Sequence, residues 1–198
     1  MRHLSAITLL LLLAACDRPE LLPLRSGDTI LAFGDSLTQG AGVPTARSYP
    51  SVLQQLSEYP VVNAGVSGEI SSRGLARLPA VLDEVRPSIM VLLHGGNDIL
   101  RNMSESLTRQ NLFAMVELAQ GHGVQVVLIG VPQKRLFSDS AALYVDLAAQ
   151  YDLPFDEDVV ADLIRTPSRK SDAVHLNAQG YRELAEAVDK LLRSAGAL

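Results

Sequence analysis

Thr29-Ile30-Leu31-Ala32-Phe33-Gly34-Asp35-Ser36-Leu37-Thr38-Gln39-Gly40 passes from a short apolar run through a glycine into a polar turn. An apolar run of this length, closed by glycine, reads as a buried strand over 29–33. Three further runs repeat the pattern. Pro60-Val61-Val62-Asn63-Ala64-Gly65 ends on a glycine, Ser88-Ile89-Met90-Val91-Leu92-Leu93 is followed by Gly95 and Gly96, and Val124-Gln125-Val126-Val127-Leu128-Ile129 by Gly130. Leu153-Pro154-Phe155 predicts a short fifth strand at an edge, where proline is tolerated. Between these runs, apolar residues recur at spacings of three and four, which predicts helices over 48–56, 72–85, 104–120, 139–150 and 178–193. The last carries Leu184, Ala187, Val188, Leu191 and Leu192 on one face, and Asn177 stands where an N-cap belongs. Strands that are apolar on both faces and alternate with helices predict an α/β fold, a parallel sheet covered by helices on each side. Such sheets carry their chemistry in the loops at the carboxyl ends of the strands.

The chain has 198 residues, of which 47% are apolar and 20% charged, enough for one domain with a sizeable core over 28–198. A net charge of −5 with scattered basic residues speaks against nucleic acid as a partner. One short basic cluster, 165–170, reads as a solvated loop, with phosphate binding as the sharper alternative. Residues 1–15 have the form of a signal peptide. A basic start at Arg2 is followed by an almost wholly apolar stretch from Leu4 to Ala15, too short for a permanent span of about 20 residues. Leu13-Ala14-Ala15-Cys16 resembles the bacterial lipobox, in which Cys16 is acylated and becomes the mature N-terminus. Cys16 is also the only cysteine, so an intrachain disulfide is excluded. The expectation is an exported bacterial protein, lipid-anchored through Cys16 and facing the periplasm, with 16–27 as a tether. Asp17 resembles the inner-membrane retention signal of enteric lipoproteins.

Four segments carry candidate chemistry, each ambiguous alone. Ser36 follows the first strand by three residues, where a serine can offer both its hydroxyl and its N–H to a substrate, or simply cap a turn. Asp172 and His175 share one late loop. A carboxylate on one imidazole nitrogen fixes the tautomer, leaving the other nitrogen to take a proton from a serine hydroxyl. Asn97, after Gly95-Gly96, can aim an amide at a developing oxyanion, or be part of a turn. Gly68, after the second strand, can offer a backbone N–H. His94 reads as a hydrogen-bonded histidine at a strand end, with substrate contact as the alternative.

Together the four resemble the SGNH (GDSL) hydrolase superfamily. Gly34-Asp35-Ser36-Leu37 matches its first block, Gly68 its second, Gly95-Gly96-Asn97-Asp98 its third and Asp172-Ala173-Val174-His175 its fifth. Val62-Asn63-Ala64 and Gly74-Leu75-Ala76-Arg77-Leu78-Pro79 are similar to the bacterial thioesterase I, lysophospholipase and arylesterase group. The resemblance implies a three-layer, flavodoxin-like α/β/α fold with about five parallel strands. It implies Ser36 as nucleophile, His175 as base and then acid, and Asp172 as its orienting carboxylate. The oxyanion hole would comprise the N–H groups of Ser36 and Gly68 and the Asn97 side chain. Many members have proline after the histidine. Leu176 stands there instead, which implies a less rigid loop.

No cofactor or metal is implied, since the chain lacks H-x-x-x-H, C-x-x-C and P-loop patterns. It also lacks G-x-S-x-G around Ser36, because position 38 is Thr. The resemblance implies a small ester or lipid as partner: an aryl or short-to-medium acyl ester, a lysophospholipid or a thioester. Loops 100–104 and 132–138 would set chain-length preference. The alternatives are an O-acetyl esterase of envelope polysaccharide and a non-catalytic acyl- or sugar-binding lipoprotein.

Overall fold

The computed structural model describes residues 19–133 and 140–198. Five strands, β1 (Ile30–Gly34), β2 (Val61–Gly65), β3 (Ile89–Leu93), β4 (Gln125–Ile129) and β5 (Phe155–Asp156), form one sheet in the order β2-β1-β3-β4-β5. All four pairings are parallel. Every residue of β1 and β3 is buried, as strands with both faces covered must be. β2 differs from the expected buried run. It lies at an edge, with Val62 37% exposed and Asn63 also in solvent. β5 is the other edge. Its proline sits just before the strand, where only its carbonyl is used, accepting the Leu128 N–H at 2.9 Å.

The helices are α1 (Ser36–Gln39), α2 (Tyr49–Ser57), α3 (Ser71–Val85), α4 (Gly96–Leu100), α5 (Glu105–Gly121), α6 (Ala142–Tyr151), α7 (Val159–Arg165) and α8 (Ala178–Ser194). α2 packs with α8 and α3 with α5, giving helices on both faces of the sheet. The five expected helices are present with ends shifted by one to three residues. α1, α4 and α7 were not anticipated. α8 starts as expected, with the Asn177 Oδ1 accepting the N–H groups of Gln179 and Gly180, both at 3.0 Å.

Part of the expected tether belongs to the domain. The N–H groups of Leu21 and Leu24 donate to the carbonyls of Ala195 and Ala197 at 2.7 and 2.9 Å. Leu22 exchanges two hydrogen bonds with the Gln125 amide, and Leu24 is buried. Burial of the apolar Leu24 and pairing of the carbonyls of Ala195 and Ala197 make docking more favourable than solvation. This seam lies at the amino ends of the strands. Cys16, Asp17 and residues 1–15, read above as a signal peptide, lie outside the described residues. No helix among the described residues is long and apolar enough to cross a membrane.

Gly34 is the last residue of β1, and close approach rather than turn geometry requires it. A Cβ there would lie 2.0 Å from the Leu93 carbonyl oxygen and 2.2 Å from Thr38 Oγ1. Gly34→Ala is expected to lower stability by about 2–3 kcal/mol, because the Leu93 backbone and the buried Thr38 side chain must shift. Gly121→Ala, where an added Cβ meets nothing within 4 Å, is expected to stay within about 0.5 kcal/mol of wild type. Denaturant melts check both, and equal melts would refute the close-approach argument.

Candidate active site

Ser36 is the first residue of α1. Asp35 caps that helix, its Oδ1 accepting the Leu37 N–H at 3.2 Å. The nucleophile candidate is therefore fixed by the strand behind it and the cap beside it. His175 approaches from the far end of the sequence, its Nε2 3.1 Å from Ser36 Oγ. Its Nδ1 lies 2.7 Å from Asp172 Oδ2. A carboxylate only accepts, so Nδ1 carries the proton and Nε2 is left to accept from the serine hydroxyl. Asp172 Oδ1 takes the N–H groups of Val174 and His175 at 2.9 and 2.8 Å. The hydrogen bond from His175, reinforced by these two, holds the Asp172 carboxyl down at about 2.

The loop that carries this pair is not slack. Leu176 is fully buried, which fastens the loop to the core through an apolar side chain. Ser171 N–H donates to the His175 carbonyl at 3.0 Å, and Asn177 N–H to the Arg169 carbonyl at 2.9 Å. These contacts, in place of a proline, hold the loop.

Ser36, Gly68 and Asn97 line one pocket of about 650 Å³. Gly68 holds a left-handed φ of +73°, and its carbonyl accepts from Arg101 Nη2 at 2.8 Å. Neither Ser36 N–H nor Gly68 N–H has a protein acceptor among the described residues. Asn97 is the first residue after Gly96 in α4, and its Nδ2 donates to Asp35 Oδ2 at 3.3 Å. That bond sets the amide's direction. Burial pushes the Asp35 carboxyl up, against the opposing influence of His94 nearby. The arrangement offers a nucleophile, a base with its orienting carboxylate, and three donors, which is the equipment for acyl transfer.

The pocket wall is largely apolar, with Leu37, Ile99, Leu100, Val131, Ala161 and Ile164 contributing. Of the two loops expected to shape it, Leu100, Pro132 and Gln133 do so, and 134–138 lies outside the described residues. α7 supplies Ala161 and Ile164, which periodicity did not reveal. Arg165 and Lys170 also line the pocket, so the basic cluster is more than a solvated loop. His94 is buried and is absent from the pocket wall, which settles its reading as a hydrogen-bonded strand-end histidine. Among the described residues no group of three or more His, Cys, Asp or Glu could hold a metal ion.

Residues 32–183 match the model of the GDSL-like lipase/acylhydrolase family. The chain belongs to this family. It is 30% identical over 176 residues to an Escherichia coli protein named thioesterase 1/protease 1/lysophospholipase L1, covering 85% of each chain. It is 39% identical over 127 residues to esterase TesA of Pseudomonas aeruginosa. There the match covers 61% of this chain and spans 63% of the relative's length. A solved structure of TesA superposes with a TM-score of 0.76 at 30% identity, covering 85% of this chain and 99% of that one. AlinE4, an SGNH-hydrolase family esterase, gives a TM-score of 0.68, also at 30% identity, over 88% of this chain and all of its own. The fold is that of these enzymes, and family membership places the chain among serine ester hydrolases.

Sequence reasoning did not reveal that Glu69, Arg77 and His94 meet behind the site. Glu69 accepts Arg77 Nε at 2.8 Å and Arg77 Nη2 at 2.7 Å, and its Oε2 lies 3.1 Å from His94 Nε2. Burial raises the Glu69 carboxyl, but the bonds from His94 and Arg77 outweigh it and hold it at about 2. A carboxyl with a depressed folded value stabilises the fold above its ordinary 4.5 and loses that stabilisation as pH falls towards 2. The stability gap between wild type and Glu69→Gln should therefore be widest near neutrality and narrow below pH 4.5. Urea melts across that range check it; a constant gap would contradict the ion pair's role.

Proposed function

We propose that this hydrolase cleaves carboxylic esters with short-to-medium acyl or aryl groups, and lysophospholipids, through an acyl-Ser36 intermediate. The observation that carries the reading is the continuous Asp172–His175–Ser36 chain at the wall of an apolar pocket. His175 Nε2 takes the proton as Ser36 Oγ attacks the carbonyl carbon. The carbonyl oxygen, now anionic, is held by the N–H groups of Ser36 and Gly68 and by the Asn97 amide, each donor worth roughly 3 kcal/mol. Asp172 stabilises the imidazolium. His175 then gives its proton to the leaving alcohol, and water repeats the sequence in reverse to free the acid and regenerate Ser36.

Apolar wall from Leu37, Ile99, Val131 and Ile164 extends beyond what an acetyl group would cover, and this favours longer acyl chains over O-acetyl glycans. The names of relatives support the same range: thioesterase and lysophospholipase for the E. coli protein, arylesterase for one from Vibrio mimicus that is 32% identical over 112 residues. A purely binding role would not need the hydrogen-bonded base at Ser36. On p-nitrophenyl esters from C2 to C16, activity should peak above C2, and Ile164→Trp should move the peak to shorter chains. Ser36→Ala should abolish turnover. Acetate as the best substrate, or near wild-type rates from Ser36→Ala, would contradict the reading.

The proposal includes acylation of Cys16 after export. The chain joins the fold at the amino ends of the strands, and the pocket opens at their carboxyl ends. An anchor at Cys16, at most about 18 Å of chain from Leu21, holds the pocket facing away from its own bilayer. Substrates then arrive from the aqueous side, as monomers or micelles. Cys16→Ala should move the protein from the membrane to the soluble envelope fraction; an unchanged membrane fraction would refute the anchor.

A further inference from the structure

Three polar side chains behind the pocket, Glu69 and His94 buried and Arg77 24% exposed, take no part in the steps above. Arg77, Glu69 and His94 are all absent from the pocket wall. The Glu69 side chain is 6% exposed and that of His94 is 0% exposed. Apolar packing of similar volume often stabilises as well as an ion-paired cluster of this kind. The cluster's bonds show what it holds.

Arg77 Nη2 donates to the Ala64 carbonyl at 2.8 Å and the Gly34 carbonyl at 3.3 Å, at the carboxyl ends of β2 and β1. Gly34 lies two residues before Ser36. The same guanidinium grips both oxygens of Glu69, the residue directly after Gly68. It also stacks on Phe33, 4.1 Å from the ring centroid. Glu69 Oε2 meets His94 Nε2. His94 Nδ1 accepts the Gly95 N–H at 2.8 Å, which leaves Nε2 as the donor to Glu69. Tyr144 Oη donates to the His94 carbonyl at 2.7 Å, fixing the backbone from the other side. Gly95 lies two residues before Asn97.

We infer that Arg77, Glu69 and His94 are the positioning residues of the oxyanion hole, joining the segments that carry Ser36, Gly68 and Asn97 into one rigid unit. The inference rests on the assignment of those three as oxyanion donors. Its physical basis is preorganisation. The donors follow three different strands, and each gains its full effect only if it is in place before charge develops. A displacement of about 1 Å can cost 10²-fold. The planar arginine fork reaches two carbonyls and a carboxylate together, which a lysine ammonium cannot reproduce.

The test uses purified enzyme, with active sites counted by burst titration. Arg77→Lys and His94→Phe should lower kcat per site about 10- to 100-fold with KM within twofold. Affinity for an alkyl trifluoromethyl ketone, whose adduct places an oxyanion in the hole, should fall by the same factor. Affinity for the matching fatty alcohol, which fills only the apolar pocket, should not change. His94→Gln, which restores a donor near Nε2, should recover most of the loss. Should Arg77→Lys fail to fold, the His94→Phe and His94→Gln pair decides. Wild-type kcat in His94→Phe, no recovery in His94→Gln, or equal losses of ketone and alcohol affinity would overturn the inference. Failure of the underlying reading is separate: the ketone would then not inhibit wild type at all.

Discussion

β1 lies between β2 and β3, and the rest of the site depends on that placement. From β1 the chain crosses to β2 on one side, then returns past β1 to β3 on the other. Loops leaving β1 and β3 therefore diverge, and a crevice opens between them at the carboxyl edge. Ser36 follows β1, Gly68 follows β2 and Asn97 follows β3, so three consecutive strand ends each deliver one donor to the same crevice. His175 reaches it from the loop before α8, a helix that packs beside α2 and so closes the layer on that face.

Such a convergence brings polar groups into a largely dry region, and each needs a partner. Asp98 illustrates how the need is met. Its carboxylate is buried, yet it accepts the Ser71 N–H at 2.8 Å and the Ser71 hydroxyl at 2.6 Å. It thereby caps α3, whose own preceding residue, Ile70, has no side-chain acceptor. Thr108 of α5 joins the same carboxylate at 3.4 Å, and Asn111 donates to Ser71 Oγ at 2.9 Å. α3, α4 and α5 are thus tied by one carboxylate next to Asn97. Asp35 does the same between α1 and Asn97. The pocket wall stays apolar while its polar edge is held from behind.

Much of this was legible in the sequence because the signals were local. Apolar runs closed by glycine marked four strands, and the Asn177 cap marked α8. Asp172 and His175 were near enough in sequence to read as a pair. Other features were illegible for physical reasons. α1, α4 and α7 are too short for a period of 3.6 to declare itself. β2 reads like a buried strand because its apolar residues do not reveal that no described strand pairs with its outer edge. Arg77, Glu69 and His94 sit on α3, the loop before it and the end of β3. Their meeting depends on the crossover that folds α3 against the strand ends, which no spacing in the sequence encodes. The docking of Leu21 and Leu24 on Ala195 and Ala197 joins the two ends of the domain and is invisible to any local pattern.

The central claim is that one pocket holds a serine nucleophile facing three preorganised donors. A crystal structure of the chain after reaction with an alkyl phosphonate tests it most directly. One phosphonyl group is expected on Ser36 Oγ. Its non-bridging oxygen should lie at about 2.7–3.1 Å from Ser36 N, Gly68 N and Asn97 Nδ2. Attachment elsewhere, or an oxygen directed to solvent away from Gly68 and Asn97, would contradict it.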